Sequence, residues 1–179
     1  MNILVVHTSP RGGGNSAMLA EKFIEGAKDA GHDVHLIEVG NVNIAGCKAC
    51  EYCFKHDGAC AQKDDMQKFY PQLHWADAVI YATPMYYYSF PAQMRAFQDR
   101  QFCGIGKSFN IKYTGLLLCF EDKDKSTCDH AVGTFRVAAD YCKYEILGEV
   151  IANNVYEKGA IAGNTALQEA YDFGRGIKE

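Results

Sequence analysis

Two stretches of this chain hold residue types at spacings that could do chemistry. The first is Thr8-Ser9-Pro10-Arg11-Gly12-Gly13-Gly14-Asn15-Ser16, three glycines among hydroxyls, an amide and one guanidinium. Glycines let backbone N–H groups approach an anion, and a helix starting at such a loop adds about half a positive charge at its N-terminus. Ser9, Arg11, Asn15 and Ser16 can supply side-chain donors while Gly14 leaves the backbone accessible, so the loop reads as a phosphate site. A turn in which Asn15 or Ser16 merely caps a helix would have the same composition. The second stretch is Cys47, Cys50, Cys53 and Cys60, spaced C-x2-C-x2-C-x6-C. Three cysteines two residues apart can wrap one cubane, with a fourth closing from a short loop that Gly58 helps to turn. Two other readings stand beside it: zinc, which favours two separated pairs of ligands, and ordinary thiols.

The kind of phosphate depends on what surrounds the loop. Gly12 to Ala17 formally fits G-x-G-x-x-A, and Glu38 follows at about the distance of a ribose-binding acid. A dinucleotide fingerprint, however, places its glycines directly at the strand end, and here Thr8, Ser9, Pro10 and Arg11 intervene. Those hydroxyls and that cation suit a terminal phosphate dianion. A Walker loop is excluded because no lysine precedes Ser16. Farther on, Pro84-Met85-Tyr86-Tyr87-Tyr88-Ser89-Phe90 crowds aromatic side chains onto one turn, which suits stacking on a planar ring. The same tyrosines could instead pack a subunit interface. Cys103, Cys119, Cys128 and Cys142 are scattered and read as small core hydrophobes. The six histidines show no ligand spacing and no Ser/His/Asp order, so no role is expected for them.

The elements that must position these stretches alternate. Apolar runs at Ile3–Val6, Val34–Val39, Asp77–Thr83, Tyr113–Phe120 and Ile146–Val155 read as strands. Between and after them, Ala17–Ala30, Ala92–Phe102, Lys125–Cys142 and Thr165–Ile177 have helical character, and Asp64 or Asp65 can cap a further helix that Pro71 must kink or restart. Strands that are nearly continuous in apolar residues, separated by helices, predict an α/β doubly wound domain of five parallel strands. In such a sheet the turns after strands one, three and four lie side by side at the carboxyl edge, where ligands bind. The whole chain, 1–179, is expected to be one domain with a cysteine-rich insertion at 47–60. With 48% hydrophobic and 22% charged residues, disorder is not expected, and a net charge of −4 without a basic block argues against nucleic acid. The first apolar run, cut short by His7, gives no secretory pattern, and no run approaches a membrane span. A cytoplasmic protein is expected, whose reducing surroundings argue against disulfides among the eight cysteines.

These residues carry a resemblance. The loop HTSPRGGGNS, the segment CKACEYCFKHDGACAQKDDM and the turn YATPMYYYSFPAQMRAFQDR together resemble the NAD(P)H-dependent FMN reductase family and, within it, the iron-sulfur flavoproteins. The resemblance runs from Met1 to about Arg100. It implies a flavodoxin-like sheet of order 2-1-3-4-5, bound FMN, and a homodimer or homotetramer. Carried over, it places the FMN phosphate on Ser9, Arg11, Asn15 and Ser16 and the ring against Pro84, Met85, Tyr86 and Tyr87. It also implies a 4Fe-4S cluster on Cys47, Cys50, Cys53 and Cys60. One departure stands out: the family's turn after strand four is glycine-rich, whereas this chain has Cys119-Phe120-Glu121-Asp122-Lys123-Asp124. The implied function is an FMN oxidoreductase passing electrons between NAD(P)H or another donor and a small-molecule or protein redox partner. The alternatives are a clusterless NAD(P)H-dependent FMN or quinone reductase, a zinc-stapled binding module without enzymatic activity, and a nucleotide-binding dehydrogenase using the Gly12 fingerprint.

Overall fold

The computed structural model of the chain describes residues 1–105 and 108–178. Five strands, β1 (Asn2–His7), β2 (Asp33–Glu38), β3 (Ala78–Pro84), β4 (Tyr113–Cys119) and β5 (Glu145–Ala152), form one sheet of order β2-β1-β3-β4-β5. Every pairing in it is parallel. The predicted flavodoxin-like order is therefore the observed one.

The helices α1 (Asn15–Asp29), α2 (Tyr70–Trp75), α3 (Ala92–Gln101), α4 (Asp129–Cys142) and α5 (Ala166–Gly176) are divided between the two faces. The period-two alternation of the strands decides which residue faces which layer. Leu4, Val6, Val79, Tyr81, Leu116 and Leu118 pack with Leu73, Met94, Phe97 and Phe135 on one side. Ile3, Val5, Ile80, Ala82 and Leu117 pack with Leu19, Phe23, Ala166 and Ala170 on the other. Each fully buried Leu, Ile or Phe contributes about 1.5–3 kcal/mol relative to exposure, so the two layers supply most of the driving force for folding. On the second face α1 and α5 lie almost backbone to backbone. A Cβ on Gly26 would fall 2.0 Å from the Tyr171 carbonyl oxygen, and one on Gly174 would fall 2.2 Å from that of Phe23.

Two expected elements differ in detail. The helix expected over Lys125–Cys142 is two pieces: a 3-10 turn at Lys125–Cys128, capped by the Asp124 carboxylate accepting from Ser126 N–H at 2.9 Å, then α4. The fifth strand ends at Ala152 instead of Val155, because Asn154 adopts φ +58 and turns the chain. Pro71 restarts the chain as expected: a 3-10 turn at Asp65–Lys68, capped by Asp64, gives way to α2 with the proline in its first turn. Among the described residues no helix is long and apolar enough to cross a membrane.

Candidate functional site

The loops after β1, β3 and β4 meet at the carboxyl edge of the sheet around a cavity of about 440 Å³, within the ordinary range for small-molecule sites. Ser9, Arg11, Asn15 and Ser16 line it from one side and Pro84, Met85, Tyr86 and Tyr87 from the other. Gly14 is the N-cap of α1, its carbonyl taking the first helical hydrogen bond from Met18 N–H. The expected cofactor residues are thus brought together by the fold.

The loop after β1 is held from every side. Thr8 is buried, donates its N–H to Ala82 O at 3.0 Å and its hydroxyl to Thr83 Oγ1 at 2.7 Å, tying the loop to β3. Arg11 N–H donates to Ser9 Oγ at 3.1 Å, and Asn41 Nδ2 donates to Pro10 O at 3.0 Å. Behind the loop, a Cβ on Gly40 would sit 2.0 Å from Ser9 O, so only glycine permits this approach. Asn15, read from sequence as a phosphate donor or a cap, has its amide engaged elsewhere. Its Nδ2 donates to Val155 O and Glu157 O at 3.3 and 2.9 Å, and its Oδ1 accepts from Gly159 and Ile161 N–H at 3.1 and 3.3 Å. It braces the segment after β5, which brings Tyr156 onto the cavity wall. The Arg11 guanidinium stands 6.0 Å from the Tyr156 ring centroid, within cation–π range.

Behind Ser16 lies a group the sequence reading passed over. His7, 2% exposed at the end of β1, places Nε2 3.0 Å from Ser16 Oγ and Nδ1 3.5 Å from Glu38 Oε1. Burial lowers the His7 pKa from its ordinary value, with Glu38 and Glu21 pulling the other way. The linear order His7, Ser16, Glu38 is no familiar triad order, but the parallel register of β1 and β2 sets His7 opposite Glu38. That register was the available signal.

The aromatic turn is a two-residue hairpin. Tyr86 and Ser89 exchange backbone hydrogen bonds at 2.9 and 3.0 Å, and the two residues between them, Tyr87 and Tyr88, both have positive φ, +50 and +60. Tyr87 is 98% exposed. Non-glycine residues in this region store strain of order 1–3 kcal/mol, which is retained where function needs the geometry. The acidic turn after β4 also reaches the cavity through Glu121 and Asp122. Asp122 accepts from Asp124 N–H and the Thr127 hydroxyl, which hold its carboxyl below the usual range and therefore ionised.

The cysteine segment is organised differently. Cys47 and Cys50 are exposed, Cys53 and Cys60 half-buried, while Cys103, Cys119 and Cys128 are buried as expected and Cys142 is half-buried. All four segment cysteines line a second cavity, of about 230 Å³, together with Arg100 and Cys103. Among the described residues, however, no group of three or more His, Cys, Asp or Glu is gathered closely enough to hold a metal ion. Ala49, Glu51 and Asp57 in the segment adopt left-handed φ, and Cys47 Sγ accepts from Ala49 N–H at 3.4 Å. Buried Arg100 clasps the ends of the segment, ion-paired to Asp64 and donating to Ala45 O at 3.0 Å. Its Nε and Nη2 find no hydrogen-bond partner among the described residues. Burial raises the Cys60 thiol pKa, but the Gln62 N–H, the Tyr70 hydroxyl and Arg100 outweigh it, and the net shift is downward.

Comparison with known proteins agrees with this geometry. An iron-sulfur flavoprotein of Methanosarcina thermophila is 35% identical over 112 residues, 63% of this chain and 58% of the relative. An iron-sulfur flavoprotein of Methanocaldococcus jannaschii is 38% identical over 73 residues, 41% of this chain and 37% of its own. The matches span about half the length of these curated relatives. Among solved structures, an NAD(P)H:quinone oxidoreductase from Methanothermobacter marburgensis superposes with a TM-score of 0.80 at 15% identity, covering 100% of this chain and 96% of the other, a likeness of fold. The family model described as NADPH-dependent FMN reductase matches residues 1–132, from β1 through the first turn of α4. The phosphate loop, the tyrosine turn and the sheet that joins them all fall within that match, and the chain belongs to the NADPH-dependent FMN reductase family.

Proposed function

We propose that this chain is an FMN-dependent oxidoreductase of the clusterless kind, reduced by NAD(P)H and passing electrons to a small acceptor such as a quinone. The observation that carries this reading is the single cavity at the carboxyl edge of β1, β3 and β4, which has anion donors at one end and the tyrosine turn at the other. The residues fit the cofactor: a phosphate would meet Ser9, Arg11, Ser16 and the loop N–H groups at the start of α1, with Asn15 fixing that wall from behind. Pro84, Met85, Tyr86 and Tyr87 would border the ring. FMN supplies hydride acceptance and electron delivery when bound. The protein's part is to bind, orient and shield it. Ionised Asp122 on the cavity wall places negative charge near the cofactor and disfavours added charge on a reduced ring.

A second reading adds a 4Fe-4S cluster on Cys47, Cys50, Cys53 and Cys60. It is favoured by their sharing one cavity with Arg100, whose Nε and Nη2 find no hydrogen-bond partner among the described residues, and by the names of the sequence relatives. Among the described residues no group of three or more ligating side chains is gathered, which favours the clusterless reading and tells equally against a zinc-stapled module.

Absorption, iron and sulfide analysis of anaerobically purified protein separates these readings. Flavin bands with no iron are expected; about four iron and four sulfide per chain would establish the second reading. A protein that neither retains nor takes up FMN would overturn both.

A further inference from the structure

We infer that His7 couples flavin-phosphate binding to the uptake of one proton, acting as a positioning residue behind Ser16. The inference rests on the phosphate placement proposed above and concerns the hydrogen-bond logic of three side chains.

Nδ1 of His7 faces the Glu38 carboxylate at 3.5 Å. An ionised carboxylate only accepts, so Nδ1 carries the ring proton. In the neutral ring Nε2 is then an acceptor, and at 3.0 Å it takes the hydroxyl proton of Ser16. With that proton turned inward, Ser16 offers the cavity only oxygen lone pairs, which repel a phosphate dianion. To bind the dianion, Ser16 must swing its proton outward. Nε2 would then face the serine oxygen with neither of them donating, a costly arrangement in a buried site. A proton taken from solvent onto Nε2 resolves the conflict: Nε2–H donates to Ser16 Oγ, Ser16 O–H donates to phosphate, and Glu38 balances the imidazolium on the far side. One N–H bond forms, no bond in the cofactor breaks, and no electrons move.

The groups facing His7 agree with this switch. Glu38 on β2 and Glu21 on α1 favour the imidazolium, while burial opposes it and keeps the ring neutral in the free protein. Cys119 on β4, whose thiol the Ser16 hydroxyl contacts, is pushed up to about 12 by burial and stays neutral throughout. Arg11 lines the cavity and supplies a fixed cation there. The bound dianion is the added charge that tips the balance.

The test is calorimetry of FMN binding to the full chain in buffers of different ionisation enthalpy, near pH 8. There the phosphate, with a second pKa of about 6, is already a dianion and contributes no proton of its own. Uptake approaching one proton per FMN is expected, with the Kd rising by up to about tenfold per pH unit, the limit for one linked proton. Riboflavin, which lacks the phosphate, should bind without proton uptake, and His7→Gln should bind FMN without it. If His7→Gln fails to fold, Glu38→Gln serves, because that side chain is 69% exposed; its proton uptake should shift to lower pH. Wild-type binding without proton uptake, alongside an Ser16→Ala variant that binds FMN weakly, would overturn the coupling and leave the site standing. Glu38→Gln uptake identical to wild type would also overturn it. Ser16→Ala binding FMN as tightly as wild type would remove the phosphate placement and the coupling together.

Discussion

The loop after β1 and the segment after β2 leave neighbouring strands at the same edge of one sheet, yet they are built in opposite ways. The loop after β1 is closed before any ligand arrives. The Thr8 hydroxyl is tied to β3, the Pro10 carbonyl to Asn41 and the Asn15 side chain to the segment after β5. The cysteine segment is anchored at its ends, through Arg100, Asp64 and Gln67, and among the described residues its thiols are not gathered into a metal-holding group. The first region pays its ordering cost during folding, so a ligand meets a preorganised site. An occupant of the second would have to draw the thiols together itself, paying conformational entropy of about 1–2 kcal/mol for each residue it fixes.

The contrast can be broken most severely at Gly40. Gly40→Ala drives a methyl into the Ser9 carbonyl and should cost about 3 kcal/mol, the upper range for overpacking. Urea denaturation should show that loss, and FMN titration should show no binding. A variant as stable as wild type that still bound FMN would mean the loop moves freely and is not preorganised. Asn15→Ala comes next. It removes four hydrogen bonds between α1 and residues 155–161 and should cost about 2–3 kcal/mol, with FMN weakened only through the displaced wall. A large FMN effect with full stability would instead restore Asn15 as a direct phosphate ligand.

At the cysteine segment the expected effects are local. Arg100→Met removes the clasp but also two unpartnered buried N–H-bearing atoms, so the net cost should be only about 1 kcal/mol. Its clearer signature is chemical: alkylation of Cys60, followed by peptide mass mapping, should shift to higher pH once the guanidinium is gone. The clasp also has an acid limit. Desolvation pulls the Asp64 carboxyl up, but Arg100 and the Ala45 and Met66 N–H groups outweigh it and hold its pKa below the ordinary 3.8. Its contribution is complete above 3.8 and is lost as pH falls through the lower folded-state value. The difference in urea midpoint between wild type and Asp64→Asn, present at pH 6, should narrow as pH falls below 3.8. A gap that persisted there would show that Asp64 acts by shape and not by charge.

The five parallel strands and the cavity were legible because apolar runs set strands and the switch point of a doubly wound sheet gathers the turns after β1, β3 and β4, while the order 2-1-3-4-5 came from the family resemblance. What was not legible came from contacts distant in sequence. Nothing local to Asn15 announces that its amide is taken by residues 155–161, because those partners lie 140 to 146 residues away in the sequence. His7 read as an isolated histidine until the register of two strands set Glu38 opposite it. The cysteines were read by their spacing, but spacing does not fix whether the folded loop gathers the thiols into one ligand set.

The smallest expected effect lies at the tyrosine turn, and it bears on whether preorganisation extends to the ring end of the cavity. Tyr87 and Tyr88 occupy a two-residue turn that Asn-Gly or Gly-Gly would form without strain. Tyr87 is almost wholly exposed, so its side chain contributes little to the fold. Tyr87→Gly should therefore stabilise the apoprotein by about 1 kcal/mol, the cost of one non-glycine residue in the left-handed region. If the turn is strained in order to hold an aromatic side chain beside the flavin ring, the same variant should bind FMN about fivefold more weakly, a loss of about 1 kcal/mol of ring contact. Riboflavin should show the same loss, since the contact does not involve the phosphate. A stabilised variant with undiminished affinity for both flavins would assign the exposed tyrosine to a surface between subunits, and the phosphate loop would then be the only preorganised end of the cavity.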